Sequence, residues 1–200
     1  LGRIHAATEL AKTGRYANIE AIVAAYRQES FWGVRCEMAR VLGEANTEAA
    51  LAGIVALLAF EQDSLVLPDL LSAAGQYRDE RVVTAVQARL EGEIGYVATE
   101  QAYIALGAQR ERAPLDMLLG AAEHPSFNGI AQGGAMRGLA ASRRPEALAA
   151  LLARVAPGAT SLYAWPTAIA ALAELGRNLE RGEREQVLDT LIDLLRAPHY

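Results

Sequence analysis

Cysteine and lysine are almost absent from this chain of 200 residues, which contains one of each, Cys36 and Lys12. A single cysteine excludes an internal disulfide framework. The three histidines (His5, His124 and His199) are too far apart in sequence for any pair to have metal-ligand spacing. No apolar run approaches the roughly 20 residues of a membrane-spanning helix, and no signal peptide is visible. These absences predict a cytoplasmic protein without a membrane partner.

Concentrated positive charge is also missing. The chain has 24 acidic and 19 basic residues and a formal net charge of -5. Its arginines are scattered, and the densest groups, residues 110–112 and 143–144, fall where turns between helices are expected. Because phosphate binding needs clustered cations, we expect no nucleic-acid partner.

Aromatic residues are scarce at 6%, although hydrophobic residues make up 52% of the chain. The apolar content is therefore mainly alanine, leucine and valine, and the first two are the best apolar helix formers. No stretch alternates apolar and polar residues as a half-buried strand does. The composition predicts an all-α protein.

An internal repeat provides the strongest pattern. A leucine followed by small or polar residues and a turn recurs with spacings of 32, 29, 35, 33 and 33, at Leu10, Leu42, Leu71, Leu106, Leu139 and Leu172. A period of 20–50 residues indicates a repeat array whose neighbouring units share one core.

A second amphipathic helix follows most of these leucines after nine residues. Apolar residues at i, i+3, i+4 and i+7 begin at Ile19, Leu51, Leu115 and Leu148, and this spacing places them on one helical face. The third repeat shifts to Val82, and the last is delayed to Leu188, Leu191, Ile192 and Leu195.

We therefore predict an all-α fold, an α-α superhelix of the HEAT-type repeat solenoid class with about six helical hairpins. It forms one domain over residues 1–200, with repeats at about 1–28, 29–61, 62–92, 93–123, 124–156 and 157–197. Tetratricopeptide arrays have a similar period, but Trp32 lies too close to Leu42 and Gly43 for their signature. Neither end has the polar cap of a complete solenoid, so we expect a fragment of a longer protein.

Turn chemistry agrees with this division. Gly14, Asn46, Gly75 and Gly176 are expected to close helices in the left-handed conformation, and Asn46 or Thr47 can serve as an N-cap. Pro114 and Pro145 suit first helical turns. Pro68 and Pro166 lie near helix starts, where they either begin the helix or kink it.

No catalytic, cofactor-binding or metal-ligating residue is predicted. His-Glu-x-x-His and Gly-x-Ser-x-Gly are absent, and the glycine-rich residues 129–138 lack the ending of a phosphate loop. We interpret that segment as a closely packed helix and Cys36 as a small buried apolar residue. The carboxylates of Glu183, Glu185, Asp189 and Asp193 are expected to form a solvated helix face.

Two aromatic clusters, Phe31-Trp32 and Tyr163-Ala164-Trp165, lie near the starts of repeats. The favoured interpretation is core filling between repeats, for which Trp32→Ala would cost roughly 3–5 kcal/mol. The alternative is an exposed aromatic anchor for a partner.

The phrase Phe-Trp-Gly-Val-Arg at residues 31–35, with Leu-Gly-Glu at 42–44 and Thr-Glu-Ala-Ala-Leu at 47–51, resembles the HEAT-repeat C-terminal region of zinc aminopeptidases of the aminopeptidase N (gluzincin) family. Glu29 and Ser30 replace the Asp-Pro that typically precedes this phrase in the family. Further similar stretches are residues 77–80, 96–107, 125–128 and 134–140. The resemblance covers roughly residues 3 to 200.

This resemblance implies a non-catalytic accessory domain of an enzyme that releases N-terminal residues from peptides. The zinc and its ligands would lie in a catalytic domain upstream, which would be the partner of this chain and whose access it would shape. One alternative is a stand-alone HEAT-repeat scaffold, of the bilin-lyase type, that binds a protein or peptide in its concave groove. An alkylpurine-glycosylase-type enzyme is a third, which the charge balance disfavours.

Overall fold

The computed structural model describes residues 1–196, which form twelve α-helices and no strand, so the all-α prediction is confirmed for that part of the chain. Three short 3₁₀ turns, Arg110–Arg112, Phe127–Gly129 and Pro145–Ala147, lie between helices. The helices are α1 (Gly2–Lys12), α2 (Tyr16–Gln28), α3 (Trp32–Ala45), α4 (Glu48–Phe60), α5 (Leu67–Ala74), α6 (Glu80–Leu90), α7 (Tyr96–Gly107), α8 (Leu115–Glu123), α9 (Ile130–Ser142), α10 (Leu148–Val155), α11 (Trp165–Gly176) and α12 (Arg181–Arg196).

The odd-numbered helices pack in chain order. Each of α1, α3, α5, α7 and α9 contacts the next odd helix, and α2, α4 and α6 form a second row beside them. Further along, α8 packs mainly on α9, and α10 on α11. Neighbouring helices therefore form a stack that grows along the sequence, as a repeat superhelix does.

The recurring leucines lie at the centre of this stack. Leu42, Leu71, Leu106, Leu139 and Leu172 are completely buried, and the first of the series, Leu10, is partly buried. The second helix of most hairpins was predicted to carry an apolar stripe. The first residue of that stripe is buried in α2, α4 and α10, whereas in α8 the first residue, Leu115, is partly buried. One continuous apolar cluster runs from Ala7 to Val187, so each hairpin shares its core with its neighbours.

Glycines allow the odd helices to approach closely. A Cβ on Gly107 would overlap the backbone carbonyl of Gly138, and a Cβ on Gly134 would lie 2.5 Å from the Cα of Glu100. Residues 130–138 of the glycine-rich segment lie in α9, where Gly134 and Gly138 face α7 and Gly133 faces α11. The interpretation of this segment as a closely packed helix is confirmed.

Helix ends follow the predicted turn chemistry only in part. Asn46 is left-handed with φ 48°, and the Thr47 hydroxyl accepts the Ala50 N–H at 3.2 Å. The expectation for Gly75 and Gly176 is wrong: Gly75 has φ −62°, and Gly176 is the last residue of α11. Cβ atoms on these two glycines would lie 3.2 Å from Ala105 and 2.8 Å from Val187, so both serve close helix packing.

Prolines begin helices. Pro68 and Pro166 occupy the first or second position of α5 and α11. Their missing N–H groups therefore remove no intrahelical hydrogen bond. Pro145 similarly opens the 3₁₀ turn before α10, and Pro114 directly precedes α8.

The predicted apolar stripe of the last helix requires a correction. Val187 is the buried residue of α12, and Leu191 and Leu194 pack on the core. Leu188, Ile192 and Leu195 are exposed. The buried face is therefore rotated from the predicted stripe, because Val187 packs into the space beside Gly176.

The exposed area indicates an elongated molecule. The solvent-accessible surface is 10528 Å² for a chain of 21.4 kDa. A compact protein of that mass exposes about 9,100 Å². The excess agrees with a stack of helical pairs rather than a sphere.

Candidate interaction surface

The aromatic clusters do not fill the core, so the favoured interpretation is wrong for most of their members. Phe31, Trp32 and Tyr163 are 54%, 46% and 74% exposed. Only Trp165 is partly buried, and its indole N–H donates to the Val155 carbonyl at 3.0 Å. These three rings lie outside because Phe31 and Tyr163 occupy loops between hairpins and Trp32 is the first residue of α3, away from the inward face of the helix.

These aromatic residues belong to a larger surface at the turns between successive hairpins. Because odd helices stack side by side, the loops that precede them lie on one edge of the stack. Each loop from the second hairpin onward, taken together with the first residue of the helix that follows it, carries large exposed apolar side chains. We call this surface the apolar edge: Phe31, Trp32, Leu65, Tyr96, Phe127, Leu162 and Tyr163.

Contacts between side chains order parts of this edge. Tyr96 and Phe127, from consecutive loops, stack with ring centroids 5.3 Å apart, and Phe31 and Trp32 lie 5.8 Å apart. The Arg27 guanidinium lies 5.8 Å from the centre of the nearby Phe60 ring. Aromatic rings held in place in this way lose little conformational entropy when they bind a partner.

Buried carboxylates position the first two loops of the apolar edge. The Glu29 carboxylate is almost completely buried, pairs with Arg3 at 2.6 Å and accepts the Phe31 N–H at 2.9 Å. Glu61, at the equivalent position of the next repeat, accepts the Gln62 and Asp63 N–H groups at 2.9 and 2.8 Å. Each glutamate therefore fixes the chain as it leaves one hairpin.

Glu61 is also the centre of a buried polar network. The Tyr26 hydroxyl donates to Glu61 at 2.6 Å, and Arg35 lies 3.7 Å from the same carboxylate. Arg35 also pairs with Asp63 at 2.7 Å. Burial, and then the Glu61 carboxylate, raise the pKa of Tyr26 well above its usual range, so this hydroxyl stays protonated. The network joins α2 and α3 to the residues that follow α4.

The opposite edge of the stack carries arginines. Arg78, Arg110, Arg143 and Arg177 follow the first helix of four consecutive hairpins. Their guanidinium groups form no ion pair or hydrogen bond with other described residues, in contrast to Arg81 and Arg144, which pair with carboxylates. We call these four residues the arginine edge.

A buried glutamine supports the arginine edge. The Gln109 amide donates to the Tyr77 carbonyl at 2.8 Å, and its oxygen accepts the Asp79 N–H at 3.0 Å. It therefore connects the turn after α5 to the turn after α7. Sequence analysis missed Gln109 because a glutamine beside a charged turn gives no signal of burial.

The described residues contain no cluster of potential metal ligands. Among residues 1–196, no group of three or more His, Cys, Asp or Glu side chains could hold a metal ion, and His199 lies outside this range. Glu185 and Asp189 lie exposed on α12, and Glu185 pairs with Arg181 at 2.8 Å. No helix within the described residues has the length and apolarity to cross a bilayer.

Cys36 is partly buried against the core, and its thiol lies 3.6 Å from the Leu65 carbonyl oxygen. Burial, followed by a hydrogen bond to Asp69, raises its pKa to about 12. Because the thiolate is the nucleophilic form, this thiol is poorly reactive near neutral pH. The packing role predicted for Cys36 is confirmed, although burial is incomplete.

Comparison with known proteins places the chain in no family. No protein-family model matches it, and a search of curated proteins finds no significant match.

The exposure of Trp32 reduces the loss of stability expected from Trp32→Ala. Because the Trp32 side chain keeps about half of its surface in water, we expect the free energy of unfolding to fall by less than about 2 kcal/mol. Urea denaturation followed by circular dichroism measures this change. A loss of about 3–5 kcal/mol would show a buried ring and contradict the apolar edge.

Proposed function

We propose that this chain is a non-catalytic, protein-binding repeat module, and that it serves a zinc-dependent aminopeptidase as an accessory domain. Its partner is then the upstream catalytic domain of the same polypeptide, in the cytoplasm. The observation that carries the binding role is the apolar edge, with its seven exposed large side chains. The sequence resemblance supplies the identity of the partner.

The apolar edge supports a binding role on energetic grounds. Large apolar patches on a protein surface commonly mark interaction sites, because water contact with them is unfavourable. Aromatic side chains are also enriched among the residues that dominate binding energies. Phe31 and Trp32 belong to the most distinctive phrase of the resemblance, and their exposure means that core packing does not account for them.

The module would act by position rather than by chemistry. Docking of the apolar edge against a catalytic domain would hold the helical stack beside the active site and limit which peptides enter. The zinc ion and its ligands would belong entirely to that other domain.

The proposal has a direct test with a matched control. The chain is mixed with the catalytic domain encoded in the same reading frame, and the affinity is measured by calorimetry for the wild type, Trp32→Ala and Tyr16→Ala. Tyr16 is also exposed but lies at the start of α2, on the other edge. We expect Trp32→Ala to weaken binding by about tenfold or more, as loss of a central aromatic does, and Tyr16→Ala to have little effect.

Two results would contradict the proposal. One is an upstream reading frame without a His-Glu-x-x-His motif followed by a further glutamate, which would favour the stand-alone scaffold. The other is hydrolysis of aminoacyl anilides by this chain alone, which would show a catalytic role.

A further inference from the structure

A cavity of about 530 Å³ lies on the arginine edge, between the turn that joins α7 to α8 and the turn that joins α9 to α10. Arg110 and Glu111 line it from the first turn, and Arg143, Arg144 and Glu146 line it from the second. The two turns meet here because α7 and α9 touch at Gly107 and Gly138, close to the ends of both helices. The cavity is therefore fixed by the tightest helix contact in the stack.

Two of the three arginines in this cavity have no internal partner. Arg144 pairs with Glu146 at 2.8 Å, but the guanidinium groups of Arg110 and Arg143 bind no carboxylate among the described residues. Partial burial, and then the positive charges of Arg143 and Arg78, lower the pKa of Arg110. Like charges held together in this way are relieved by an incoming anion.

The backbone at these two positions also disfavours arginine. Arg110 and Arg143 both have φ 57°, in the left-handed region where glycine and asparagine are the usual residues. Arg143 is the C-terminal cap of α9, a position that glycine or asparagine suits better, as Asn46 does after α3 with φ 48°, and Arg110 lies in the 3₁₀ turn that follows α7. Backbone conformation therefore does not account for arginine at either position.

We propose that this cavity binds an acidic peptide segment, with Arg110 and Arg143 each pairing with one of its carboxylates. Guanidinium groups bind carboxylates through two parallel hydrogen bonds, which gives the pairing a defined geometry. This site is separate from the apolar edge and does not depend on the aminopeptidase proposal.

The balance of charge selects a peptide over a nucleic acid. Three arginines and two glutamates give the cavity lining a formal net charge of +1, although Arg110 and Arg143 pair with neither glutamate, and the whole chain has a net charge of -5. A phosphate backbone needs a longer run of uncompensated cations. One or two carboxylates match the unpaired charge of Arg110 and Arg143.

The repeat spacing sets the spacing of the peptide's carboxylates. Packed helices lie about 8–10 Å apart, so equivalent turns of neighbouring hairpins are separated by a similar distance. An extended peptide rises about 3.3 Å per residue. Acidic residues at every third position would therefore match Arg110 and Arg143, and a third could approach Arg78 in the preceding turn.

The test uses a fluorescein-labelled peptide of about 12 glycine and serine residues with glutamate at every third position, a length that spans the arginine edge. Fluorescence anisotropy measures its binding to the wild type and to the double variant Arg110→Gln/Arg143→Gln. We expect the double variant to bind about a hundredfold more weakly, because it removes two charge-assisted contacts that are each worth about tenfold. The same peptide with glutamine in place of glutamate should not bind.

Arg181→Gln is the control variant, since Arg181 is exposed on α12 and paired with Glu185 at 2.8 Å. It should bind the peptide as the wild type does, and thermal unfolding should confirm that all variants fold. The proposal is overturned if the acidic peptide fails to bind, if the glutamine peptide binds equally well, or if the double variant is unaffected. Tighter, arginine-dependent binding of a single-stranded oligonucleotide would also overturn it, by showing a phosphate site.

Discussion

Replacing Gly107 by alanine should lower the free energy of unfolding by about 3 kcal/mol or more, the upper range for overpacking a core. The added methyl group would overlap the Gly138 carbonyl, which belongs to the backbone of α9 and cannot rotate away. Relief requires α7 and α9 to separate, and that separation would open the buried space around Leu106 and Leu139. Denaturation by urea, followed by circular dichroism, measures the loss.

Gly120→Ala is the matched control, because a Cβ on Gly120 of α8 would meet no atom within 4 Å. Alanine is the better helix former by about 1 kcal/mol, so this variant should be as stable as the wild type or more stable. If Gly107→Ala were equally harmless, α7 and α9 would not be in backbone contact. The packing of these two helices, at the centre of the stack, would then be wrong.

Replacing Glu61 by alanine should cost about 3–5 kcal/mol, as the loss of one member of a buried ionic network does. The variant would leave the Tyr26 hydroxyl and the Gln62 and Asp63 N–H groups without their acceptor. Arg35 would keep Asp63 but lose its second carboxylate. Thermal and urea unfolding together would measure this change.

Two further variants distinguish the stabilisation by the buried Glu61 network from that by exposed ion pairs. Tyr26→Phe removes one hydrogen bond and leaves Glu61 with its other partners, so we expect a smaller loss of about 1–2 kcal/mol. Glu44→Ala removes an exposed carboxylate that pairs with Arg40 at 2.7 Å, and it should have little effect. Equal effects of Glu61→Ala and Glu44→Ala would contradict the central role of Glu61.

Sequence periodicity predicted the helical hairpins because each recurring leucine occupies the same buried position. The burial of these leucines could be predicted without knowing their spatial neighbours, because a stack repeats one local environment. They are Leu42, Leu71, Leu106, Leu139 and Leu172. The second-helix stripes of α2, α4 and α10 were predicted for the same reason. Periodicity was a less accurate guide to the buried face of α12, where Val187 rather than Leu188 packs on the core.

The surface was harder to predict than the core. Phe31 and Trp32 are apolar, so burial was the expected outcome, but Phe31 lies just before α3 and Trp32 is the first residue of that helix, and both are exposed. Gly75 and Gly176 were expected to shape turns, whereas their small size serves contacts with Ala105 and Val187. Such contacts depend on residues about 10 to 30 positions away, which local patterns do not specify.

The arginine edge was visible only as scattered charge. Arg78, Arg110 and Arg143 are separated by about one repeat in sequence, so a sliding window finds no basic cluster. Stacking of the hairpins brings their turns to one edge and produces the cavity between Arg110 and Arg143. Aligning the repeats by their leucines would have shown that Arg110 and Arg143 both lie four positions after the leucine, whereas Arg78 lies seven positions after Leu71.

Small-angle X-ray scattering tests the central claim most directly, namely that successive hairpins stack in a single row. Six hairpins that each advance about 10 Å form a body about 60 Å long, with a radius of gyration of about 20 Å. A compact chain of this length has a radius of gyration of about 16–17 Å. A value near 20 Å for the monomer would support the stack, and a value near the compact limit would contradict it.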